Sequence, residues 1–341
     1  MVTYVGIDLG TSTVKLACGE TKFLIPSIIG EPNPGWEGMS LDSSLEHNLV
    51  VIEGGTEWYV GELARTQSEV KLPLAAEGQM KSAENTFIAL KAALSLIIQE
   101  PEEEFVIATG VPVSTSIEAM KSLSRMLKGE LKIDVRNDNT QEEFHYRANL
   151  LKTMVMIEPY GTYYKMLKDK GEETAVDAVI IDIGHGTTDI LTMYQGRPMR
   201  TASGAIVEAT DTLTVRMAKA LQDKTGAIIK PFDLMTSIMH GKNQVMVSGK
   251  YYAIDELKNY YAKQISKIII DETLRLIATL PPDAFIEYFI IAGGGAYTFG
   301  DEIRSEIIAR KLVAEGDKVV TPKDPVMSNA EGFELVARAQ M

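Results

Sequence analysis

Apolar residues along the 341-residue chain fall into short continuous runs broken by glycine-bearing turns, with helical patterns between them. Residues 3–9 and 12–18 read as two strands joined at Gly10-Thr11, and 24–29 as a third run. Residues 31–38 are dense in turn formers and predict an exposed loop. The runs 50–52 and 58–61 predict a hairpin around Gly54-Gly55. Apolar positions at Phe87, Ile88, Leu90, Ala92, Leu94 and Ile97 predict a largely buried helix over 84–98. A buried strand over 105–110 follows, then a helix over 116–127 capped by Ser114 or Thr115. Residues 129–149 alternate as strands do, and 155–158 read as another strand tip.

The second half opens with a helix over 161–167 and a charged turn over 168–173. A buried run then delivers Asp182 at its end, followed by Gly184, Gly186, two threonines and a strand over 190–194. Gly196-Arg197-Pro198 turns the chain into a return strand ending at Ala202. Helices are predicted over 207–223, 231–240 and 251–280, the last stopped by Pro281-Pro282. A buried strand over 285–292 is broken by Gly293-Gly294-Gly295, and helices over 297–311 and 329–339 complete the chain. Three-stranded openings followed by alternating helix and strand predict an α/β protein with helices on both sheet faces.

The two openings are alike in detail. With residues 4–15 laid over 178–189, Asp8 meets Asp182, Gly10 meets Gly184, and Thr13 meets Thr187. The plan of 3–29 thus recurs at 178–202, a duplication whose period is far too long for a solenoid. Each Asp-x-Gly turn can present consecutive backbone N–H groups to an anion, with Thr11, Ser12, Thr13 and Thr187 adding hydroxyls. Asp8 and Asp182 suit a hydrated Mg²⁺ that bridges to phosphate, held through water. Lys15 is placed to reach a β- or γ-phosphate. Singly, each aspartate reads first as a turn-capping residue; the pair in register favours a site.

Composition narrows the classes. At 341 residues the chain suits two domains, and 45% hydrophobic with 24% charged residues is the make-up of a globular protein. No run approaches 18 apolar residues, and the chain begins almost directly on a strand, so neither a spanning helix nor a leader is expected. Cys18 is the one cysteine, which excludes an internal disulfide and a cysteine metal site and makes the cytoplasm the default location. A net charge of −13 disfavours direct nucleic-acid binding and anionic membranes, so any link to DNA would run through a basic partner. The same acidity also serves solubility alone. His47, His145 and His240 are scattered without ligand spacing.

The two turns, together with Ile290-Ile291-Ala292-Gly293-Gly294-Gly295-Ala296, resemble the two phosphate motifs and the adenosine motif of the actin/Hsp70/sugar-kinase superfamily. A dinucleotide-binding reading of the glycine triplet fails, because Thr298 stands where the third glycine of G-x-G-x-x-G belongs. Residues 156–161 are similar to the superfamily's first connecting motif, and 324–333 to its second. The form of the second, with 59–64 and 109–112, resembles the plasmid-segregation actins of the ParM/StbA group and their archaeal relatives.

That resemblance implies two duplicated actin-like (RNase H-like) domains with a nucleotide cleft between them. The first would be residues 1–157 with 322–341, including a smaller subdomain about 31–80; the second, 158–321, with a smaller subdomain about 207–262. The ligand would be ATP or GTP with Mg²⁺. Gly10, Thr11, Ser12, Thr13, Lys15, Gly184, His185, Gly186 and Thr187 would surround the phosphates, and Gly293, Gly294, Gly295 and Ala296 the nucleoside. Asp8 and Asp182 would serve the metal, and Glu158 would orient the attacking water. Gly204 and Glu208 lie where the family lines its purine and ribose pocket. His185 departs from the family's small residue, as a phosphate contact or as a tolerated turn residue. Tyr251, Tyr252, Tyr260 and Tyr261 read as packing residues before a stacking platform, and loop 31–45 with Trp36 and Met39 as a mobile loop or a longitudinal contact.

The implied activity is an ATPase that polymerises with itself and moves plasmid DNA through a basic adaptor, with no direct contact to nucleic acid or membrane. The alternative is a sugar or acid kinase on the same core, which would need a catalytic residue for its acceptor. A chaperone of this superfamily would need a peptide-binding domain, and only one helix follows the second connecting motif.

Overall fold

The computed structural model describes every residue except Met1, Pro34, Trp36, Glu37, 74–82, His240, Gln340 and Met341, so the expectations for Trp36 and His240 lie outside the described residues. The chain divides into two compact units, Met1–Lys165 with Met327–Met341, and Met166–Val326.

The first unit opens with β1 (Val2–Leu9), β2 (Thr13–Cys18), β3 (Thr21–Pro26) and β4 (Ile28–Gly30). β5 (Leu49–Glu53), β6 (Thr56–Val60), α1 (Glu62–Gln67), β7 (Lys71–Pro73) and α2 (Ala83–Ser95) follow. Next come β8 (Glu102–Val111), α3 (Ile117–Met126), β9 (Gly129–Asn137), β10 (Glu143–Ile157) and α4 (Pro159–Lys170). Among the described residues the strands form one sheet in the order β3-β2-β1-β8-β10-β9-β5-β6-β4-β7, with β1, β8 and β10 parallel. Parallel strands covered on both faces read as unbroken apolar runs, and β8 shows why. Phe105 and Ile107 enter a core with Val5, Ile7, Leu90 and Leu94, while Val106 and Ala108 face Phe333 and Ala337 on the other side.

The second unit contains β11 (Ala178–Ile183), β12 (Thr188–Tyr194), β13 (Arg197–Pro198), β14 (Gly204–Ile206), α5 (Thr210–Thr225) and α6 (Pro231–Met239). β15 (Gln244–Val247), β16 (Lys250–Ala253), α7 (Asp255–Ile277), β17 (Tyr288–Ala292), α8 (Ala296–Ala309) and β18 (Val319–Val320) complete it. α9 (Ser328–Ala339) returns to the first unit. The sheet order is β13-β12-β11-β17-β18 with β14 on β12, and Val179, Ile181, Leu213, Ile269, Phe289, Ile291 and Phe299 share its core. Among the described residues no helix is long and apolar enough to cross a membrane.

Several local expectations need correction. The third apolar run breaks at Ser27, whose N–H donates to Ser12 O at 3.0 Å and whose hydroxyl donates to Gly10 O at 2.5 Å. The cap of α3 is Ser116, which accepts from Ala119 N–H at 3.2 Å, not Ser114 or Thr115. Residues 143–157 form one strand, bulged between Leu150 and Lys152. The return strand toward Ala202 stops at Pro198, which lacks a ladder donor, and Arg200–Ala202 is a 3₁₀ turn. There Ser203 Oγ accepts from Thr192 N–H at 2.9 Å and donates to Met199 O at 2.7 Å. The helix expected from 251 starts at Asp255, because Ser248 and Gly249 both adopt positive φ and turn β15 into β16. This is the backbone that a two-residue hairpin requires. Tyr251 and Tyr252 therefore lie in a hairpin, and Tyr260 and Tyr261 pack edge-on with centroids 5.1 Å apart.

Candidate active site

In the first unit, β1 carries Asp8 into nearly complete burial, and the antiparallel register sets Lys15 directly across from it. Lys15 Nζ lies 2.7 Å from Asp8 Oδ2. The lysine expected at a phosphate thus holds the aspartate here. Ser27 takes the carbonyls of Gly10 and Ser12 on one side of the turn. Among the described residues all peptides are trans, so the N–H groups of Thr11 and Thr13 point away from Ser27. Thr11 and Ser12 are exposed at the tip.

Glu158 follows β10, its N–H donating to Val111 O at 2.8 Å. A Cβ on Gly110 would collide with Cα and Cγ of Glu158 and with the Phe333 ring, so the glutamate rests against bare backbone. One helical turn on, Thr162 bonds Ser328 Oγ at 2.7 Å and Asn329 Oδ1 at 2.8 Å. A Cβ on Gly332 would overlap Gly161 O. The segments 158–162 and 328–333 therefore form one seat, with α9 passing close enough to β1 to exclude any side chain at Gly6.

In the second unit the hairpin is repeated with one change. β11 pairs with β12 so that Asp182 faces Asp189, the place that Lys15 holds opposite Asp8. Where the first half sets a cation against its acid, the second sets another acid, 6% exposed. Two carboxylates facing across a ladder are unfavourable without a cation. Asp189 is the site residue that the sequence comparison missed, because it stands where the halves differ.

The turn itself is held from behind. Gly184 N–H donates to Thr187 O at 2.9 Å, and Asp211 N–H at the start of α5 donates to His185 O at 2.9 Å. Thr210 Oγ1 donates to Gly184 O at 3.1 Å and lies 3.4 Å from His185 Nδ1. With these carbonyls turned to α5, the N–H groups of His185 and Gly186 point to the opposite side. The result is a cradle of amide donors beside the two acids.

The glycine triplet is part of the same site. Gly293 sits at φ 78°, and a Cβ there would overlap Ile183 O and Asp182 Oδ1. Gly295 N–H donates to Ile183 O at 2.9 Å and leaves no room for a side chain against Ile183. Gly293 N–H donates to Pro325 O at 2.9 Å, bringing the Asp324-Pro325 segment alongside, and Ala296 opens α8. Gly294 lies at the tip. Tyr297, in the first turn of α8, is exposed, and partial burial of its hydroxyl followed by the charge of Asp324 pushes its pKa up.

Gly204 and Glu208 stand beside this group rather than in it. Gly204 lies in β14, where an added Cβ would meet the Leu276 methyl groups at 3.4 Å, and Glu208 is bridged by Arg216 at 2.7 and 3.0 Å. The carbonyl of Glu208 accepts from Thr188 Oγ1 at 2.6 Å, which ties it to the end of the turn. Gly10–Thr13 with Asp8, Lys15 and Glu158 belong to the first unit, and Asp182–Thr187 with Gly293–Ala296 to the second. Among the described residues no ready cluster of three or more metal-ligating side chains occurs. The donor set nonetheless fits a hydrated Mg²⁺ and a phosphorylated ligand, with few carboxylates, many amides and glycines where side chains would block approach.

Comparison with known proteins agrees with the geometry. Residues 6–161 match the family described as actin like proteins N terminal domain, and residues 180–305 the family described as archaeal actin homologue MreB-like, C-terminal. No curated protein matches the chain. Among solved structures, the archaeal actin homologue Ta0583 superposes with a TM-score of 0.80 at 20% identity, covering 99% of both chains. Its complex with ADP gives 0.77 at 19% identity, again over 99% of both. A ParM from Clostridium botulinum, solved as a 15-stranded filament, gives 0.77 at 19% identity over 99% of this chain and 100% of that one. At such identities the likeness establishes the fold.

Proposed function

The chain belongs to the actin-like proteins, and from that premise we propose that it is an ATPase that polymerises with ATP and Mg²⁺ and disassembles after hydrolysis. The observation that carries the reading is the packing of Gly293 and Gly295 onto Asp182 and Ile183, which joins an acid, an amide cradle and a bare backbone surface in one place. The nucleotide complexes and the filament among its structural neighbours support the same class.

In this reading the amides of His185 and Gly186, and those of Thr11 and Thr13, bind phosphate oxygens. Asp8 and Asp182 hold Mg²⁺ through water, with Asp189 adding negative charge beside Asp182. The metal, when bound, supplies charge neutralisation at the phosphates. Lys15 turns from Asp8 toward the phosphate. Gly293, Gly294, Gly295 and Ala296 admit the nucleoside, with Gly204 and Glu208 at its edge. Glu158, fixed by its backbone bond to Val111 and its seat on Gly110, orients the attacking water. The protein works in the cytoplasm, forming a homopolymer that segregates plasmid DNA through a basic adaptor.

The test is light scattering and phosphate release after addition of ATP and Mg²⁺. Wild-type protein should give a concentration-dependent rise that decays as phosphate appears. Glu158→Gln should assemble but hydrolyse about 10²-fold more slowly or worse, leaving long-lived polymer. Normal turnover in that variant would remove the water-orienting role. Nucleotide turnover that requires a sugar or organic acid, without any scattering, would replace the filament with a small-molecule kinase.

A further inference from the structure

We propose that Lys15 is a built-in stand-in for the divalent cation on Asp8, so that this carboxylate accepts a metal only after a nucleotide phosphate has drawn the lysine away. The inference rests on the nucleotide reading above and deepens it by naming how the metal site of the first unit is regulated.

Asp8 cannot stand alone where the fold puts it. It is 2% exposed at the end of β1, and a carboxylate buried without a partner is strongly destabilising. The register of β1 and β2 sets Lys15 across from it, with Nζ 2.7 Å from Asp8 Oδ2. The lysine side chain is itself only 17% exposed, so the pair is held largely out of water. Its ammonium is folded back over the turn, because a Cβ built on Gly10 would stand 3.3 Å from Nζ. The bare Gly10 therefore gives the ammonium room between the carboxylate and the turn. A hydrated cation joining Asp8 to a phosphate on that turn needs the same space. Two cations crowded onto one buried carboxylate repel each other strongly, so Lys15 and the metal exclude one another there.

The second unit lacks this arrangement. The residue across the ladder from Asp182 is Asp189, 6% exposed, where the first unit has Lys15. One hairpin thus carries its own cation opposite its acid, and the other carries a second acid. The regulation belongs to Asp8 alone.

The exchange is chemically simple. A lysine ammonium is a compact charge on a flexible four-carbon stem, and phosphate is a ligand that it binds as a point charge. A phosphate on the amides of Thr11 and Thr13 offers Lys15 more negative charge than Asp8 does. When the lysine turns to it, Asp8 is left buried and uncompensated unless a metal takes the vacated side. Phosphate therefore precedes metal on Asp8, and Mg²⁺ without nucleotide meets a carboxylate already paired.

The experiment uses full-length protein without nucleotide and Mn²⁺ as the probe, counted by loss of the free-ion electron paramagnetic resonance signal. Any ion held by Asp182 and Asp189 is common to all the proteins compared and cancels. Lys15→Met should take up one Mn²⁺ more than wild type, and Asp8→Asn/Lys15→Met should not. Without divalent cations Lys15→Met should melt below wild type and regain most of that loss on addition of Mg²⁺. The double variant should recover it without Mg²⁺. Equal Mn²⁺ uptake by Lys15→Met and wild type would overturn the proposal. If Lys15→Met does not fold, Asp8→Asn alone decides. It should match wild type in Mn²⁺ uptake without nucleotide and take up less with a non-hydrolysable ATP analogue, and an Asp8-dependent ion in the nucleotide-free wild type would overturn the proposal. Calorimetry of wild type with the same analogue separates the two readings. If no nucleotide binds, the nucleotide reading falls and this regulation with it; if it binds and the Mn²⁺ counts fail, only the regulation falls.

Discussion

At the scale of single residues, Gly293 is the most constrained position of the candidate site. It combines φ 78° with backbone and carboxylate atoms where a Cβ would stand. Gly293→Ala should cost roughly 1–3 kcal/mol in backbone strain alone and push Asp182 from its place. Urea unfolding should show the stability loss and a nucleotide titration an affinity loss of about tenfold or more; unchanged affinity would separate the triplet from the nucleotide. Asp42 and His47 offer a pH test. Their hydrogen bond raises His47 above its ordinary 6.5 and lowers Asp42 from 3.8 to about 2. A raised histidine contributes fully below pH 6.5 and loses its contribution as pH rises through the folded value. The lowered aspartate contributes above 3.8 and loses it as pH falls toward about 2. The pair thus holds loop 39–48 from mildly acidic pH to somewhat above 6.5. NMR should place the His47 titration above 6.5, Asp42→Asn should bring it back down, and loop amide exchange should quicken above the midpoint. A His47 midpoint at or below 6.5 would refute the pairing.

Between elements, the decisive contacts are those where backbone meets backbone. α4 and α9 cross with Gly161 against Gly332, and no side chain fits between them. Gly332→Ala must push the helices apart at an overpacking cost of about 1–3 kcal/mol, and because Glu158 shares that seat, hydrolysis should fall with stability. A variant that melts like wild type and hydrolyses normally would show that the crossing yields freely. This contact joins residues far apart in the chain, and nothing in either local pattern announces it. The hairpins were legible, by contrast, because an apolar run ending in Asp-x-Gly is local chemistry repeated at 8–13 and 182–187. What local pattern missed was substitution of side chain for backbone. Ser27 and Ser203 take over ladder bonds and end strands that hydropathy alone would continue. Ser248-Gly249 turned an apparent helix start into a hairpin, since tyrosines suit either element. Asp189 escaped notice because a search for sameness between halves passes over the one position where they differ in sign.

For the whole molecule, charge decides what a filament of this chain can touch. Lys and Arg total 34 against 47 Asp and Glu, leaving −13 per copy, and polymerisation multiplies that negative field along its length. DNA binding by counterion release needs several clustered cations, and its affinity falls steeply with salt. Lys121, Arg125 and Lys128 around α3 are one basic group that stands against this balance. The chain alone should therefore leave a plasmid fragment unretarded in a gel-shift experiment at ~150 mM salt, where non-specific binding by basic proteins lies around 10⁻⁴–10⁻⁶ M. Addition of a basic DNA-binding adaptor should be required for co-sedimentation of DNA with polymer. A retarded complex formed by the chain alone, lost on raising salt and abolished by Lys121→Glu/Arg125→Glu, would reverse the assignment. α3 would then be the DNA contact.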